Sequence, residues 1–229
     1  MKKRKIEKRI GLTVIFLILG ILFCSPFLLL LINSFKSYND MAMDFLAWPR
    51  SLYLDNFTKA VTEMHFFRAV GNSVIITGGT MLVATVISFM ASYGIFHIRG
   101  KFGKLFYLFF TLGQIVPFHS IMIALSVQLN RLGINDKYFS LIMLYSGFHC
   151  CFGVFTYYGF LKSIPKELEE AAEIDGANII QSMIQVVFPL LKSTTITLNV
   201  LFFLWTWNDF LMPSLYFLKD KKTLTVMIF

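Results

Sequence analysis

The sequence has 229 residues and a mean hydropathy of +0.67, with 56% hydrophobic residues and only 15% charged residues. Soluble domains carry about 25% charged residues, so this composition excludes an ordinary soluble enzyme or binding domain. The formal net charge is +8. The first nine residues hold a cluster of basic side chains: Lys2, Lys3, Arg4, Lys5, Lys8 and Arg9.

Long apolar runs follow this cluster. Such runs predict membrane-spanning helices, because about 20 helical residues cross the hydrocarbon core and a helix satisfies its own backbone there. The five predicted spans are residues 10–32, 72–93, 105–125, 139–161 and 193–217, the third of them interrupted by Pro117. The predicted fold class is therefore an all-α, polytopic membrane protein.

The distribution of basic residues predicts the orientation of these spans. A basic cluster before an apolar run could bind nucleic acid in a soluble protein, but here it predicts a cytoplasmic N-terminus, residues 1–9. Alternation then places the loop 97–104 in the cytoplasm, and this loop has three Lys or Arg and no acidic residue. The loop 36–68 and the C-terminus are predicted to lie outside. No nucleic-acid partner is predicted.

The segment 162–192 interrupts the apolar runs with an acidic, alanine-rich stretch. Ser163, Pro165 and Glu167 predict the start of a helix, with Ser163 as the capping hydroxyl. Gly176 predicts a left-handed residue where that helix ends. A second apolar stretch follows, and Pro189 marks the return to the membrane. We expect a helical elbow whose small-residue face docks into a groove on a partner protein.

The elbow carries a recognisable motif. Glu170-Ala171-Ala172, three residues, Gly176, nine residues and Val186 to Pro189 resemble the coupling-loop motif of ABC importer permeases. Val186 and Phe188 depart from the usual Ile and Leu, each replacing one apolar residue by another. Three stretches are similar to the carbohydrate-uptake branch, close to the maltose-type second permease subunit: Ser163–Ala177, Trp207–Leu218 and Leu132–Tyr138.

The resemblance implies a type I ABC importer permease-like helical bundle in the cytoplasmic membrane. Such permeases usually have six spans; five are visible, so the core domain, residues 70–229, is expected to be incomplete at its C-terminus. Two cytoplasmic ATPase subunits, a second permease subunit, an extracellular or periplasmic sugar-binding protein and membrane lipid are the implied partners. The implied coupling residues are Glu170, Ala171, Ala172, Asp175, Gly176 and Pro189.

No catalytic residue, cofactor or metal site is predicted in this chain. The stretch from Gly94 to Lys101 has five residues between its glycines and lacks the Ser or Thr of a phosphate loop. ATP hydrolysis is thus assigned to the partner subunits. The four histidines lack ligand spacing, and the three cysteines are interpreted as small buried hydrophobic residues.

Polar side chains inside the spans are costly and so carry information. Helical spacing predicts one face with Thr195, Asn199, Phe202, Thr206 and Asp209 in the fifth span, and another with Tyr107, Gln114, Phe118 and Gln128 in the third. Amides and aromatic rings suit a sugar path; hydrogen bonding between helices is the alternative. The candidate path residues are Gln114, Phe118, Asn199, Thr206 and Asn208.

Other functions stay open at this point. The chain could be an ABC permease for an amino acid, a peptide or another small solute, because the elbow alone does not separate these. An intramembrane enzyme would need paired catalytic groups, whereas Asp209 is the one acidic residue near a span interior. A membrane anchor without transport is the third alternative, which the missing sixth span keeps open.

Overall fold

The computed structural model describes residues 2–217 and 221–228, and within these ranges every regular element is helical. The basic side chains predicted at positions 2–8, Leu218 and the C-terminal Phe229 lie outside the described residues. The chain divides into two units, Met1–Phe66 and Phe67–Phe229. The helices of the first unit are α1 (Lys2–Ser34), α2 (Tyr38–Met43) and α3 (Asp55–Thr62).

The helices of the second unit begin with α4, which starts at the unit boundary. They are α4 (Phe66–His97), α5 (Lys101–Gly113), α6 (Phe118–Arg131), α7 (Tyr138–Leu161), α8 (Glu167–Ile174), α9 (Ile179–Gln181), α10 (Phe188–Leu190), α11 (Lys192–Trp207), α12 (Leu211–Tyr216) and α13 (Leu224–Ile228). A π-helical segment, Ser182–Val187, joins α9 to α10.

Three helices in the described ranges are long and apolar enough to cross a membrane: Gly11–Ser34, Phe66–His97 and Tyr138–Leu161. There are also two pairs of consecutive helices, each bent sharply at a short break. If each pair is counted as one span, the number of spans rises to five. The five predicted spans agree with that upper number. None of the most apolar part of α1 is buried within the protein, as expected for a helix surrounded by lipid.

In the first unit, the chain folds back at the end of α1. The Lys36 side chain is almost fully buried, and its ammonium donates to the carbonyl oxygens of Asp44 (3.0 Å) and Phe45 (3.2 Å). The Asn56 amide donates to the carbonyls of Ser34 (3.0 Å) and Lys36 (2.8 Å). The first Asn56 bond gives a partner to the Ser34 carbonyl, which the end of α1 leaves without one inside the helix.

In the second unit, α4 and α7 pack closely because small residues face each other. A Cβ added to Gly153 would collide with Ser88 Oγ and lie 2.6 Å from Ser88 Cβ. A Cβ on Gly79 would lie 2.7 Å from Ile142 Cδ1. Small residues allow such close approach of membrane helices. Small residues at helical spacing along α4 are buried: Ser73, Thr77, Thr80, Ala84 and Ser88.

The predicted third span is not a single helix. It consists of α5 and α6, which meet at an angle of 92° across residues 114–117. Pro117 lacks a backbone N–H and disfavours a helical conformation for the residue before it, which accounts for the break. The prediction that Tyr107, Phe118 and Gln128 share one helical face is therefore wrong.

The predicted fifth span is also broken. The helix α11 ends at Trp207, and a short turn separates it from α12. In this turn the Asp209 carboxylate accepts a hydrogen bond at 3.0 Å from the backbone N–H of Leu211, the first residue of α12. At its other end, α11 is bent by 76° from the Ile179–Leu190 stretch. The expectation of one continuous helix over 193–217 is thus wrong.

Long-range contacts show which helix ends lie together at each of the two ends of α4. Near its C-terminal end, α4 contacts α8 through Tyr93 and Glu169. We call this end of the second unit the elbow end. At the opposite end, Asn72 Oδ1 of α4 accepts from the Tyr138 hydroxyl of α7 at 2.7 Å, and its amide donates to the Lys222 carbonyl at 2.9 Å. Because Tyr138 begins α7 at this end, α4 and α7 run in the same direction, towards the elbow end.

Candidate functional site

The elbow, residues 162–192, begins with α8. Three acidic residues lie in the first turn, Glu167, Glu169 and Glu170, where negative charge is favourable beside the helix N-terminus. Ser163 is not the cap that the sequence predicts. Its hydroxyl donates to the Phe160 carbonyl at 2.6 Å, and α8 begins without a side-chain cap.

Gly176 ends α8 as predicted, with φ +88° in the left-handed region. Its N–H donates to the Glu173 carbonyl at 3.0 Å, and the Ala177 N–H donates to the Ala172 carbonyl at 2.9 Å. This pair of bonds is the Schellman motif, which satisfies the last carbonyls of a helix. A side chain with a Cβ would strain the backbone here, so the sharp turn depends on glycine.

The second arm of the elbow starts with a capping box that the sequence reading missed. The Asn178 side chain accepts from the backbone N–H of Gln181 at 3.0 Å, and Gln181 Oε1 accepts from the Asn178 N–H at 2.8 Å. An Asn followed three residues later by Gln is the signal that predicts it. The arm then runs through the π-helical segment to Pro189, which lies in the first positions of α10.

Much of the elbow surface is exposed and apolar. Ile174 is 86% exposed, Ile179 is 59% exposed and Leu168 is 43% exposed. The predicted coupling residues Glu170, Ala171, Asp175, Gly176 and Pro189 are exposed too, and Ala172 is half-buried. A rigid surface with both large and small apolar side chains is suited to binding a groove on another protein.

One acidic side chain of α8 points back to the bundle. Glu169 Oε2 accepts a hydrogen bond from the Tyr93 hydroxyl at 2.8 Å and lies 3.1 Å from His97 Nε2. Its side chain is 13% exposed, whereas the neighbouring Glu167 and Glu170 are exposed. The sequence reading missed this contact, because Glu169 is more than 70 residues from Tyr93 and His97 in the chain.

A cavity of about 790 Å³ lies between α6, α7 and the end of α11. Phe118 and Asn208, two of the predicted path residues, line it. It also contains side chains that the sequence reading did not assign to a path, including Tyr145, His149, Trp205 and Asp209. Its size falls within the range of about 300–1,000 Å³ that is typical of small-molecule sites.

The polar groups of the cavity are held by hydrogen bonds. The Tyr145 hydroxyl donates to Asp209 Oδ2 at 2.6 Å, which joins α7 to the turn after α11. His149 Nε2 lies 2.9 Å from the Thr206 hydroxyl, and the His149 ring stacks on Phe202 with centroids 4.9 Å apart. Thr206 is itself buried, so it supports the cavity wall through His149.

The two remaining path candidates do not line this cavity. Asn199 Oδ1 accepts from the Thr85 hydroxyl at 3.1 Å, and its amide donates to the Thr195 carbonyl at 2.9 Å. Asn199 therefore links α4 and α11, and it borders a separate hollow of about 340 Å³. Gln114 is exposed at the bend after α5.

Residues 2–217 and 221–228 contain no group of three or more His, Cys, Asp or Glu side chains that could hold a metal ion. Cys150 is buried and Cys151 is half-buried, in accord with their interpretation as small hydrophobic residues. Cys24 is exposed on α1, so the prediction of burial is wrong at this position.

The apolar bundle, the elbow and the cavity define a polytopic membrane transport subunit. The family described as the binding-protein-dependent transport system inner membrane component matches residues 84–228, and the chain belongs to this family. It is therefore a membrane permease component that works with a binding protein and with ATPase subunits, and it is not an enzyme.

Two relatives extend the similarity over most of the chain. The "Probable starch degradation products transport system permease protein AmyC" of Thermoanaerobacterium thermosulfurigenes is 38% identical over 230 residues, which cover 100% of this chain and 83% of the relative. The "Multiple sugar-binding transport system permease protein MsmG" of Streptococcus mutans serotype c is 35% identical over 217 residues, covering 92% and 76%.

One solved structure has the same fold. It is the crystal structure of a bacterial ABC transporter involved in the import of the acidic polysaccharide alginate, with a TM-score of 0.79 and 18% sequence identity. The alignment covers 100% of this chain and 80% of the solved chain. The helical importer-permease fold that the sequence predicts is thus confirmed.

Proposed function

We propose that this chain is the permease subunit of an ATP-driven importer whose solute is a sugar or an oligosaccharide. The observation that carries the proposal is the similarity over the full length of the chain to AmyC, a relative named for transport of starch degradation products. MsmG, named for a multiple sugar-binding system, supports the same class of solute. An amino acid or a peptide is the competing solute.

The cavity chemistry supports a sugar. Aromatic rings such as Phe118 and Trp205 offer flat apolar surfaces for the faces of sugar rings, while Asn208 and Asp209 offer polar groups for hydroxyls. A mostly apolar lining with a few polar groups is common to sites for small molecules. We propose that Phe118 and Asn208 face the solute, and that Thr206 acts indirectly by holding His149.

The elbow is proposed to dock on one of two cytoplasmic ATPase subunits, beside a second permease subunit that carries its own elbow. Exposed apolar side chains supply buried area for this contact, and Ala171 and Ala172 allow close approach. The Schellman turn at Gly176 keeps the two arms of the elbow in a fixed geometry. An external binding protein would deliver the sugar at the opposite end.

We further propose that the N-terminus, residues 1–9, and the elbow end face the cytoplasm, with residues 10–32 as the first span and 70–229 as the permease core. The basic cluster in residues 1–9 and the loop 97–104, which has three Lys or Arg and no acidic residue, support this orientation. Labelling of single cysteines with an impermeant reagent in intact cells tests it, in a background without the native cysteines. We expect Asn56→Cys to react and Gly176→Cys to stay protected; the reverse pattern would refute the orientation.

The solute is tested by reconstitution. The complex of this chain with its partner permease, ATPase subunits and binding protein is placed in proteoliposomes. Uptake is measured for radiolabelled maltotriose, raffinose, glutamine and a dipeptide, with and without ATP. We expect ATP-dependent uptake of a sugar only. Uptake of the amino acid or dipeptide without uptake of either sugar would overturn the proposed solute class.

A further inference from the structure

The contact between α4 and α8 includes the side chains of Tyr93, His97 and Glu169. Tyr93 and His97 are four residues apart, so both lie on one face of α4, one helical turn from each other. The Tyr93 hydroxyl and His97 Nε2 converge on the same oxygen of Glu169, at 2.8 Å and 3.1 Å. Glu169 therefore joins the elbow to a span that precedes it by more than 70 residues.

The geometry of this contact is fixed from several directions. His97 Nδ1 lies 2.9 Å from the Tyr93 carbonyl oxygen, and the two rings are 4.2 Å apart between centroids. Both ring nitrogens of His97 thus lie within hydrogen-bond distance of oxygen atoms. A hydrogen bond to a carboxylate is about twice as strong as one between neutral groups.

Tyr93 connects this contact to the core of the bundle. Its ring is 4% exposed and belongs to a buried cluster that joins α4, α7, the π-helical segment and α11. Within this cluster Phe89 lies next to Tyr157 with ring centroids 5.6 Å apart. One end of Tyr93 is therefore packed among the spans, and its hydroxyl holds the elbow. Packed cores transmit displacement because they deform little.

We propose that Glu169 is a positioning residue through which movement of the elbow reaches α4. This inference rests on the proposed function, in which the elbow docks on an ATPase subunit. Without the contact, α8 is held by its chain connections, at residues 162–166 and at the Gly176 turn, and by packing against the π-helical segment, which belongs to the elbow itself. Docking and ATP hydrolysis then continue, but the displacement of the elbow moves α4 less, so less sugar crosses per ATP hydrolysed.

Three variants test this role in the assembled complex: Glu169→Ala, Tyr93→Phe and the double variant. Tyr93→Phe removes the hydroxyl and keeps the buried ring, so the core stays packed. Glu167→Gln is the matched control, because this carboxylate lies on the same helix and is exposed. Glu169→Gln keeps an oxygen acceptor for Tyr93 and is the conservative variant.

The measurement is the ratio of sugar uptake to ATP hydrolysed in proteoliposomes, with the sugar that the wild-type complex transports in the reconstitution. We expect this ratio to fall roughly 5- to 150-fold for each single variant, the range typical of coupling between sites. The double variant should fall no further than Glu169→Ala, because both changes remove one contact. Glu169→Gln should recover part of the ratio, and Glu167→Gln should equal the wild type.

Two outcomes would overturn the inference. One is an unchanged ratio in Tyr93→Phe and Glu169→Ala, even if both lower the amount of folded complex, since this is the effect of a merely stabilising contact. The other is additive losses in the double variant. The Ala172→Trp variant separates this result from a failure of the proposed docking on the ATPase subunit. If the elbow does not dock, Ala172→Trp leaves uptake normal. If only the positioning role of Glu169 is wrong, Ala172→Trp still lowers uptake.

Discussion

The elbow takes its shape from residues that are neighbours in the chain, whereas the cavity collects residues from Phe118 to Leu211. In the elbow, the turn at Gly176 and the capping box at Asn178 are closed by hydrogen bonds over three to five residues. In the cavity, the Tyr145–Asp209 bond spans 64 residues. The elbow can therefore be recognised by a motif, while the cavity exists only when α6, α7 and α11 are packed.

This difference predicts how substitutions act. A change at the elbow should abolish coupling and leave the bundle intact, because the bundle core does not depend on the exposed elbow surface. A change in the cavity should alter which solute is transported, because its walls define shape and polarity. A change at the contact between α4 and α11 outside the cavity should reduce stability with little dependence on the solute.

The largest effect is expected for the elbow. Gly176→Val introduces a β-branched residue at φ +88°, with a strain of about 1–3 kcal/mol that the Schellman turn can relieve only by opening. Ala172→Trp adds bulk at a small residue that is proposed to allow close approach of the ATPase subunit. We expect both variants to insert normally and to lose nearly all uptake, as measured in cells at matched membrane levels.

The matched control for the elbow is Gly159→Val. Gly159 lies in α7, and a Cβ there meets no atom within 4 Å, so this substitution adds the same side chain without strain from a left-handed backbone. It should keep most of the uptake. Wild-type uptake in both elbow variants would contradict the proposed docking, and an equal loss in Gly159→Val would show that membrane insertion is the weak step.

An intermediate effect is expected for the cavity. Phe118→Ala removes a ring from the wall, and Asn208→Ala leaves a sugar hydroxyl without a partner, at a cost of about 1–3 kcal/mol. This corresponds to roughly a 5- to 150-fold weaker interaction. The measurement is uptake of two sugars of different length. We expect unequal losses for the two sugars, and equal losses would place these residues outside the path.

The smallest effect is expected for Asn199→Leu. This amide joins α4 to α11 through Thr85, so its removal should cost about 0.6 kcal/mol of stability, as measured for hydrogen bonds between membrane helices. Thermal unfolding of the purified complex and uptake of the same two sugars are the measurements. A small drop that is equal for both sugars is expected. A selective loss of one sugar would extend the path to Asn199.

The sequence by itself determined the class of fold and the elbow. Apolar runs longer than the hydrocarbon core predict spans whatever the rest of the chain does, and the glycine at position 176 predicts a left-handed residue because other side chains are strained there. Proline at position 117 indicated an interruption of the third span. These signals are local, and local physics decides them.

Tertiary structure alone decided the angles and the contacts between distant residues. The 92° bend at Pro117 separated Tyr107 from Phe118, and the turn after Trp207 ended the face that was predicted to reach Asp209. Helical periodicity had no means to find these breaks, since it assumes a straight helix. Glu169 was indistinguishable in sequence from Glu167 and Glu170; only the packing of α8 against α4 gives it Tyr93 and His97 as partners. The partner of a buried polar group depends on which helices meet, and that is a property of the whole bundle.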